Sequence, residues 1–374
     1  MTVRGRETPI TVGEPAPWII GSTVTYSRYR LEAAAGRWLL LAFFHTTRSP
    51  AWAAVKRTLA DYRSLFNDTD LAFFGVTEDP EDAAFHRVSD SFPGIRFFLD
   101  VTGEMTLAFG FSEGGDASGR DGVWCLLSPS MRVVAIHQIL TDCGAPDPAI
   151  TDLITNLQPK ELQSGIPADP PVLVLDKVFP DDLCERLRTV YREGTPEASG
   201  FMREVNGQTV LVSDPAHKRR RDVEVRDPTL IAEATERVKR CLRPMIKRAF
   251  QFDVTRMERH IVACYSAADV GHFRAHRDNT TPGTAHRRFA VSIFLSDDYA
   301  GGELRFPEFG RRGFKPHAGS AVVFSCSLMH QVDPVTEGER FVYLPFLYDE
   351  AAAEKRISWT GVKAGGQRGE PAQE

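Results

Sequence analysis

His276 and Asp278 stand one residue apart, and His330 follows far down the chain. Side chains at alternate positions of an extended segment point to one face, so His276 and Asp278 converge if this stretch is a strand. His330 must then arrive from a distant strand, which calls for a fold that lays non-neighbouring extended segments side by side. Short apolar runs at 289–295, 321–324 and 341–347 alternate with polar, glycine-containing stretches such as Tyr299-Ala300-Gly301-Gly302 and Lys315-Pro316-His317-Ala318-Gly319, the pattern of strands and turns. A barrel or jelly roll with these residues at strand ends facing one mouth meets both demands.

Two imidazoles and one carboxylate can hold an octahedral ferrous ion and leave positions open, as oxygen chemistry requires. A bare His-x-Asp says little in a chain with 10 histidines. The pattern becomes specific with His330 on its own strand-like segment, with Gly301-Gly302-Glu303-Leu304-Arg305-Phe306-Pro307 between, and with Arg340 ten residues beyond His330. A guanidinium stays charged at any relevant pH and offers a bidentate fork to a carboxylate.

On these residues, the stretch from about 170 to 350 resembles the iron(II)- and 2-oxoglutarate-dependent dioxygenases of the prolyl hydroxylase type. The resemblance implies a double-stranded β-helix (jelly-roll) domain with supporting helices, in which His276, Asp278 and His330 bind iron and Arg340 pairs with the distal carboxylate of 2-oxoglutarate. Tyr265 matches the position whose hydroxyl approaches the metal-binding end of the cosubstrate, although barrel packing explains a tyrosine there equally well. Phe294 stands where some members carry a second tyrosine, so Ser292, Tyr343 or water is expected to supply the missing donor. The implied reaction consumes dioxygen, hydroxylates an unactivated C–H bond of an amino acid, a peptidyl side chain or a small metabolite, and releases succinate and carbon dioxide; ascorbate is a candidate stimulant. Two alternatives stay open: an inactive jelly-roll binding or scaffold protein and, with less support, a thiol peroxidase in the first part of the chain.

A chain of 374 residues is long enough for two cores. Residues 38–44 and 71–76 read as buried strands, 51–66 as a helix, and 95–99, 123–127 and 133–136 as further strands, an order that predicts an α/β domain with parallel strands. With the opening Gly13-Glu14-Pro15-Ala16-Pro17, with Gly36-Arg37-Trp38 leading into the first long strand and with Thr77-Glu78-Asp79 after the second, this region resembles the thioredoxin-fold domain of the peroxiredoxin and alkyl hydroperoxide reductase family. At the helix start, His45-Thr46-Thr47-Arg48-Ser49-Pro50 carries no cysteine where a low-pKa thiolate would form, and Ser49 cannot replace it. Cys125 lies in an apolar run, and Cys143 has no evident activator. The expectation is a redox-inactive, thioredoxin-like domain used for packing, recognition or dimerisation, with His45 and Arg48 as candidate ligand contacts.

The expected division is 1–155 for the thioredoxin-like domain, 156–171 for a linker, 172–352 for the oxygenase domain and 353–374 for a flexible tail. The second domain should open with a strand at 172–175 and a helix at 180–193, and Pro244 should kink or break a longer helix at 230–250. Lys218-Arg219-Arg220-Arg221 reads as a solvated loop or a lid. The formal net charge of -5 and the acidic residues that follow this run give nucleic acid little weight, and an anionic small molecule or carrier-bound substrate somewhat more. The N-terminus lacks an apolar leader core, and no run approaches the roughly twenty apolar residues of a membrane span. Six cysteines suggest no disulfide framework. A cytoplasmic, reducing setting is expected, with a homodimer through the first domain as a candidate assembly.

Overall fold

The computed structural model describes residues 8–111, 122–141, 146–159, 162–163, 165–205 and 208–356, so that Cys143 and the expected tail beyond 356 lie outside the described residues. The chain forms two compact units, Met1–Asp169 with Pro307–Arg311, and Pro170–Phe306 with Arg312–Glu374.

The N-terminal unit is a mixed α/β structure. Its sheet contains β1 (Trp38–Phe44), β2 (Leu71–Thr77), β3 (Ile95–Leu99), β4 (Gly122–Leu127) and β5 (Val133–Gln138) in the order β3-β2-β1-β4-β5. The β1 and β2 strands are apolar along nearly their whole length because both faces of the sheet centre are covered. The expected parallel arrangement holds for β1, β2 and β3, whereas β4 and β5 run antiparallel. A tight turn at Ser128–Met131, closed by the Met131 N–H donating to the Ser128 carbonyl at 2.9 Å, joins β4 to β5, and so short a connection permits only antiparallel neighbours.

Helix α1 (Pro50–Asp61) begins where expected, with Ser49 as its N-cap and Pro50 in the first turn. It ends before 66 because the chain turns through a 3-10 segment at Arg63–Leu65 and becomes extended at Phe66. Phe66 is thereby driven into the core against Phe73.

The C-terminal unit is built on two antiparallel sheets. One has ten strands, with a path through β6 (Leu173–Leu175), β14 (Ala321–Ser325), β11 (Phe289–Phe294), β16 (Val335–Tyr343), β9 (Ile261–Ser266) and β8 (Arg221–Glu224). The other follows β7 (Lys218–Arg219), β10 (His272–His276), β15 (His330–Val332), β12 (Leu304–Arg305) and β13 (Gly313–Phe314). On the large sheet, Val262, Cys264, Val291, Ile293, Val323, Phe341 and Tyr343 turn to the outer face and pack with Leu183, Leu187, Leu230 and Leu242 of the helical layer. Alternation then sends Tyr265, Ser292, Phe294, Arg340 and Val342 to the inner face. The inner faces of the two sheets meet where Phe324 packs against His330 at 4.6 Å and Phe306 at 5.0 Å between ring centroids.

Two breaks trace to proline. The expected 230–250 helix is α2 (Pro228–Arg237) and α3 (Arg243–Phe250), joined by a π-helical turn at Val238–Leu242; Pro244 has no N–H for the preceding turn, and the hydrogen-bond ladder widens there. The apolar run at 341–347 is divided between β16 and β17 (Phe346–Tyr348), since Pro345 cannot donate to a ladder. The basic run at 218–221 is not a solvated loop: Lys218–Arg219 and Arg221 belong to β7 and β8 on either side of Arg220, with Lys218 and Arg220 buried and Arg219 and Arg221 exposed. No helix among the described residues is long and apolar enough to cross a membrane.

Candidate metal centre

His276 closes β10 and pairs directly with His330 at the start of β15. A bulge in this pairing, between Phe273 and His276, re-aims the strand, and the His276 ring stacks on Phe273 with centroids 3.5 Å apart. Just past the strand end, the Asp278 N–H donates to the Cys326 carbonyl at 3.0 Å. That bond turns the carboxylate toward both rings: Asp278 Oδ1 lies 3.5 Å from His276 Nε2, and Asp278 Oδ2 lies 3.3 Å from His330 Nε2. The intervening Arg277 points elsewhere, donating to the Ser327 carbonyl at 2.6 Å.

The three groups offer ligand atoms all within 4.8 Å of one another, the one such cluster of three or more found among the described residues. His276 Nδ1 sits 2.8 Å from the Arg274 carbonyl and His330 Nδ1 sits 3.1 Å from the Leu328 carbonyl. A carbonyl only accepts, so each Nδ1 carries the proton and each Nε2 presents a lone pair, the arrangement that fixes imidazole ligands. Burial, helped by the neighbouring His330, pushes His276 down to about 4, and this ring is neutral near pH 7. Burial alone would raise Asp278, but in acid the imidazolium forms of the two rings outweigh it and hold the carboxyl well below the usual carboxylate range. This donor set fits iron(II) with positions left open.

Arg340 lies opposite Tyr265 in the β9–β16 pair. It is 1% exposed, yet none of its three guanidinium nitrogens has a hydrogen-bond partner. Its Cζ stands 5.0 Å from the Tyr265 ring centroid and 4.9 Å from that of Phe294, so aromatic faces wall it in without satisfying its donors. A lone buried cation costs several kcal/mol, and a carboxylate bound across the fork would remove that penalty. Gly302 makes the space: at φ +68°, a Cβ there would meet Arg340 Cδ at 3.0 Å and Tyr299 Cε2 at 3.3 Å.

Tyr299 escaped the sequence reading, where its glycine-rich surroundings marked only a turn. Its hydroxyl is buried without a partner beside Arg340. Burial raises the phenol, and the nearby guanidinium partly opposes that. Ser292 shares the inner face with Phe294, as its register with Val322 requires. Tyr343 does not: it occupies the outer core, with its hydroxyl 2.6 Å from His260 Nδ1. The expectation that Tyr343 compensates for Phe294 is corrected by strand alternation, since Arg340 and Tyr343 are an odd number of residues apart and so face opposite sides of β16.

In the N-terminal unit, Ser49 Oγ caps α1 by accepting from the Trp52 N–H at 3.3 Å and donates to the Thr46 carbonyl at 2.8 Å. Arg48 is drawn to Asp79 and Glu81, and His45 to Glu78. Burial pushes the Cys125 thiol up to about 12, which removes it as a nucleophile.

Residues 243–348 match the family model of the 2OG-Fe(II) oxygenase superfamily. A PKHD-type hydroxylase of Nitrosomonas europaea is 40% identical over 90 residues, covering 22% of this chain and 40% of that protein. A PKHD-type hydroxylase of Paracoccus denitrificans is 32% identical over 164 residues, covering 39% of this chain and 71% of that protein. This chain thus spans well under half the length of the first relative. A solved prolyl hydroxylase of Trichoplax adhaerens, in complex with a hypoxia inducible factor peptide fragment, aligns with a TM-score of 0.40 at 17% identity over 50% of this chain and 86% of that one. By the sequence relatives and the His-Asp-His cluster, the chain belongs, through its C-terminal region, to the PKHD-type hydroxylase family of 2OG-Fe(II) oxygenases.

Proposed function

We propose that the C-terminal unit is an iron(II)- and 2-oxoglutarate-dependent dioxygenase that hydroxylates an unactivated C–H bond of an amino acid, a peptidyl side chain or a small metabolite. The observation that carries this reading is the buried, unpaired Arg340 guanidinium on the inner face that also packs against His330 through Phe324. Bound iron(II), with 2-oxoglutarate and dioxygen, supplies the oxidation and releases succinate and carbon dioxide. His276 and His330 would hold the metal through Nε2 while backbone carbonyls keep their Nδ1 protons in place. Asp278 would supply the third bond as a carboxylate. Arg340 would orient the cosubstrate by its distal carboxylate, with the Tyr299 hydroxyl as the donor that Phe294 does not provide. Tyr265 and Phe294 would exclude water from that fork, and Ser292 would line the same pocket. Ascorbate would act by keeping the metal ferrous.

The two antiparallel sheets with apposed inner residues support a double-stranded β-helix. For the N-terminal unit we retain the redox-inactive, thioredoxin-like reading, supported by Ser49 in the N-cap and the inert Cys125, with recognition or dimerisation as its role. A reducing, cytoplasmic setting suits ferrous iron and the free cysteines of the described residues.

The test is anaerobic titration of the iron(II)-loaded protein with 2-oxoglutarate, followed by its visible charge-transfer band and by the band's decay on admitting oxygen. The band is expected in the wild type and absent in His276→Ala and Asp278→Ala, which should also lose stoichiometric iron. No band in iron-replete wild-type protein would favour the repurposed, non-catalytic barrel.

A further inference from the structure

Arg340 lies beside a gap in the large sheet. On one side of it β16 keeps a regular ladder with β9, where Arg340 stands opposite Tyr265. On the other side β16 pairs first with β11, through Ile293 opposite Tyr343 and Phe294 opposite Val342, and then with the short strand Tyr299–Gly301, through Tyr299 opposite Gly338. Between these two ladders residues 295–298 lie against 339–341, four against three. One extra residue on one strand is a bulge, and a shift of one residue turns every later side chain to the other face. In an unbroken strand Tyr299, five residues beyond the inward Phe294, would face outward. The extra residue reverses this: Tyr299 comes opposite Gly338, which lies two residues from Arg340 and so on the same face. The glycine pair that follows then lets the ring close on the guanidinium.

Such a gap takes main-chain groups out of the ladder, and Ser296 takes them up. The Leu295 N–H still donates to the Phe341 carbonyl at 2.9 Å. Beyond it the hydroxyl of Ser296, a residue 1% exposed, accepts from the Phe341 N–H at 3.0 Å and donates to the Glu339 carbonyl at 3.0 Å. One oxygen thus holds β16 on both sides of Arg340. Its only proton goes to Glu339, so Ser296 acts on a ligand through Arg340 and Tyr299. On the far side of the bulge, Lys315 Nζ donates to the Tyr299 carbonyl and stands 4.2 Å from the centroid of its ring, which holds the phenol in place.

We propose that Ser296 is a positioning residue of the cosubstrate site: by holding the bulge, it sets the Arg340 guanidinium and the Tyr299 hydroxyl on one face as a joint receptor for a distal carboxylate. This rests on the oxygenase reading above, and it assigns the choice of a dicarboxylic over a monocarboxylic 2-oxo acid to the bulge. The test is anaerobic titration of the iron(II) protein with 2-oxoglutarate and with 2-oxopentanoate, which keeps the chelating 2-oxo acid and lacks the distal carboxylate. Each is followed by the charge-transfer band, and the ratio of the two dissociation constants reads the distal site alone. Wild type should prefer 2-oxoglutarate by roughly a hundred-fold or more. Tyr299→Phe and Ser296→Ala should each cut that ratio about ten-fold, through weaker 2-oxoglutarate binding with 2-oxopentanoate binding and iron content unchanged. Ser296→Thr, which keeps the hydroxyl, should retain most of the preference. Where Ser296→Ala fails to fold, Ser296→Cys, close in size and a weak hydrogen-bonder, should show the same loss. No preference in wild type, an unchanged ratio in Tyr299→Phe or in the hydroxyl-free Ser296 variants, or an equal loss of both 2-oxo acids, overturns the inference while leaving the oxygenase reading intact. No band with either 2-oxo acid in iron-replete wild-type protein would remove the oxygenase reading and this inference with it.

Discussion

Replacing Arg340 by methionine should change stability in opposite directions with and without 2-oxoglutarate. In the free protein, the guanidinium is 1% exposed and its three nitrogens lack hydrogen-bond partners, so its desolvation is offset only by the faces of Tyr265 and Phe294. Methionine keeps much of the stem volume and removes the charge. By analogy with buried ionic groups exchanged for apolar ones, the gain is about 1–4 kcal/mol, and at roughly 2–4 °C per kcal/mol for a unit of this size the melting temperature should rise by several degrees. The cosubstrate reverses the order. A bidentate pair to the fork comprises two charge-assisted hydrogen bonds at about 1.5–3 kcal/mol each, so their loss should weaken 2-oxoglutarate on the order of 10²- to 10⁴-fold. Wild type should gain about 2.7 kcal/mol at a hundred-fold excess over Kd, and Arg340→Met little at the same concentration. The assay is anaerobic thermal unfolding of the iron(II) protein across a 2-oxoglutarate series. Equal stabilisation of both proteins by 2-oxoglutarate would show that another group holds the cosubstrate. Destabilisation of the free variant would show that Arg340 is a packed structural cation instead of one awaiting an anion.

Acid should weaken the C-terminal unit through Glu258. Burial would raise this carboxyl, but His286 and Arg287 outweigh it and hold it at about 2 against an ordinary 4.5. A depressed carboxyl contributes stability that is complete above about 4.5 and lost as pH falls through about 2; denaturant unfolding of Glu258→Gln should therefore show lower stability at neutral pH and a flatter acid limb, and an unchanged limb would refute the assignment. Ser49→Ala removes the α1 cap and should destabilise the N-terminal unit by about 1 kcal/mol, read as a lower melting transition of that unit with 2-oxoglutarate binding unaltered; an unchanged transition would mean that the cap carries no weight.

Much of this protein was legible in its sequence because local rules carry those parts. The long apolar runs of β1 and β2 could only be buried sheet centre, and Pro244 and Pro345 interrupt their elements for reasons internal to proline. The His-x-Asp spacing, the distant His330 and the following Arg340 named the metal-ligand set and a cation on one sheet face, since strand alternation relates residues by parity alone. Parity also contained the case against Tyr343, three residues from Arg340, once both were known to lie in one unbroken strand. Tertiary structure decided what depends on neighbours remote in the chain. Tyr299 joins Arg340 only because the glycine pair folds it back beside the guanidinium. Lys218 and Arg220, indistinguishable in sequence from the exposed Arg219 and Arg221, are buried because pairing with β10 and β9 sets which residues turn inward. Charge on a side chain is written in the sequence, but whether water or a low-dielectric interior surrounds it is a property of the assembled sheets, and from that difference arises the unpaired Arg340.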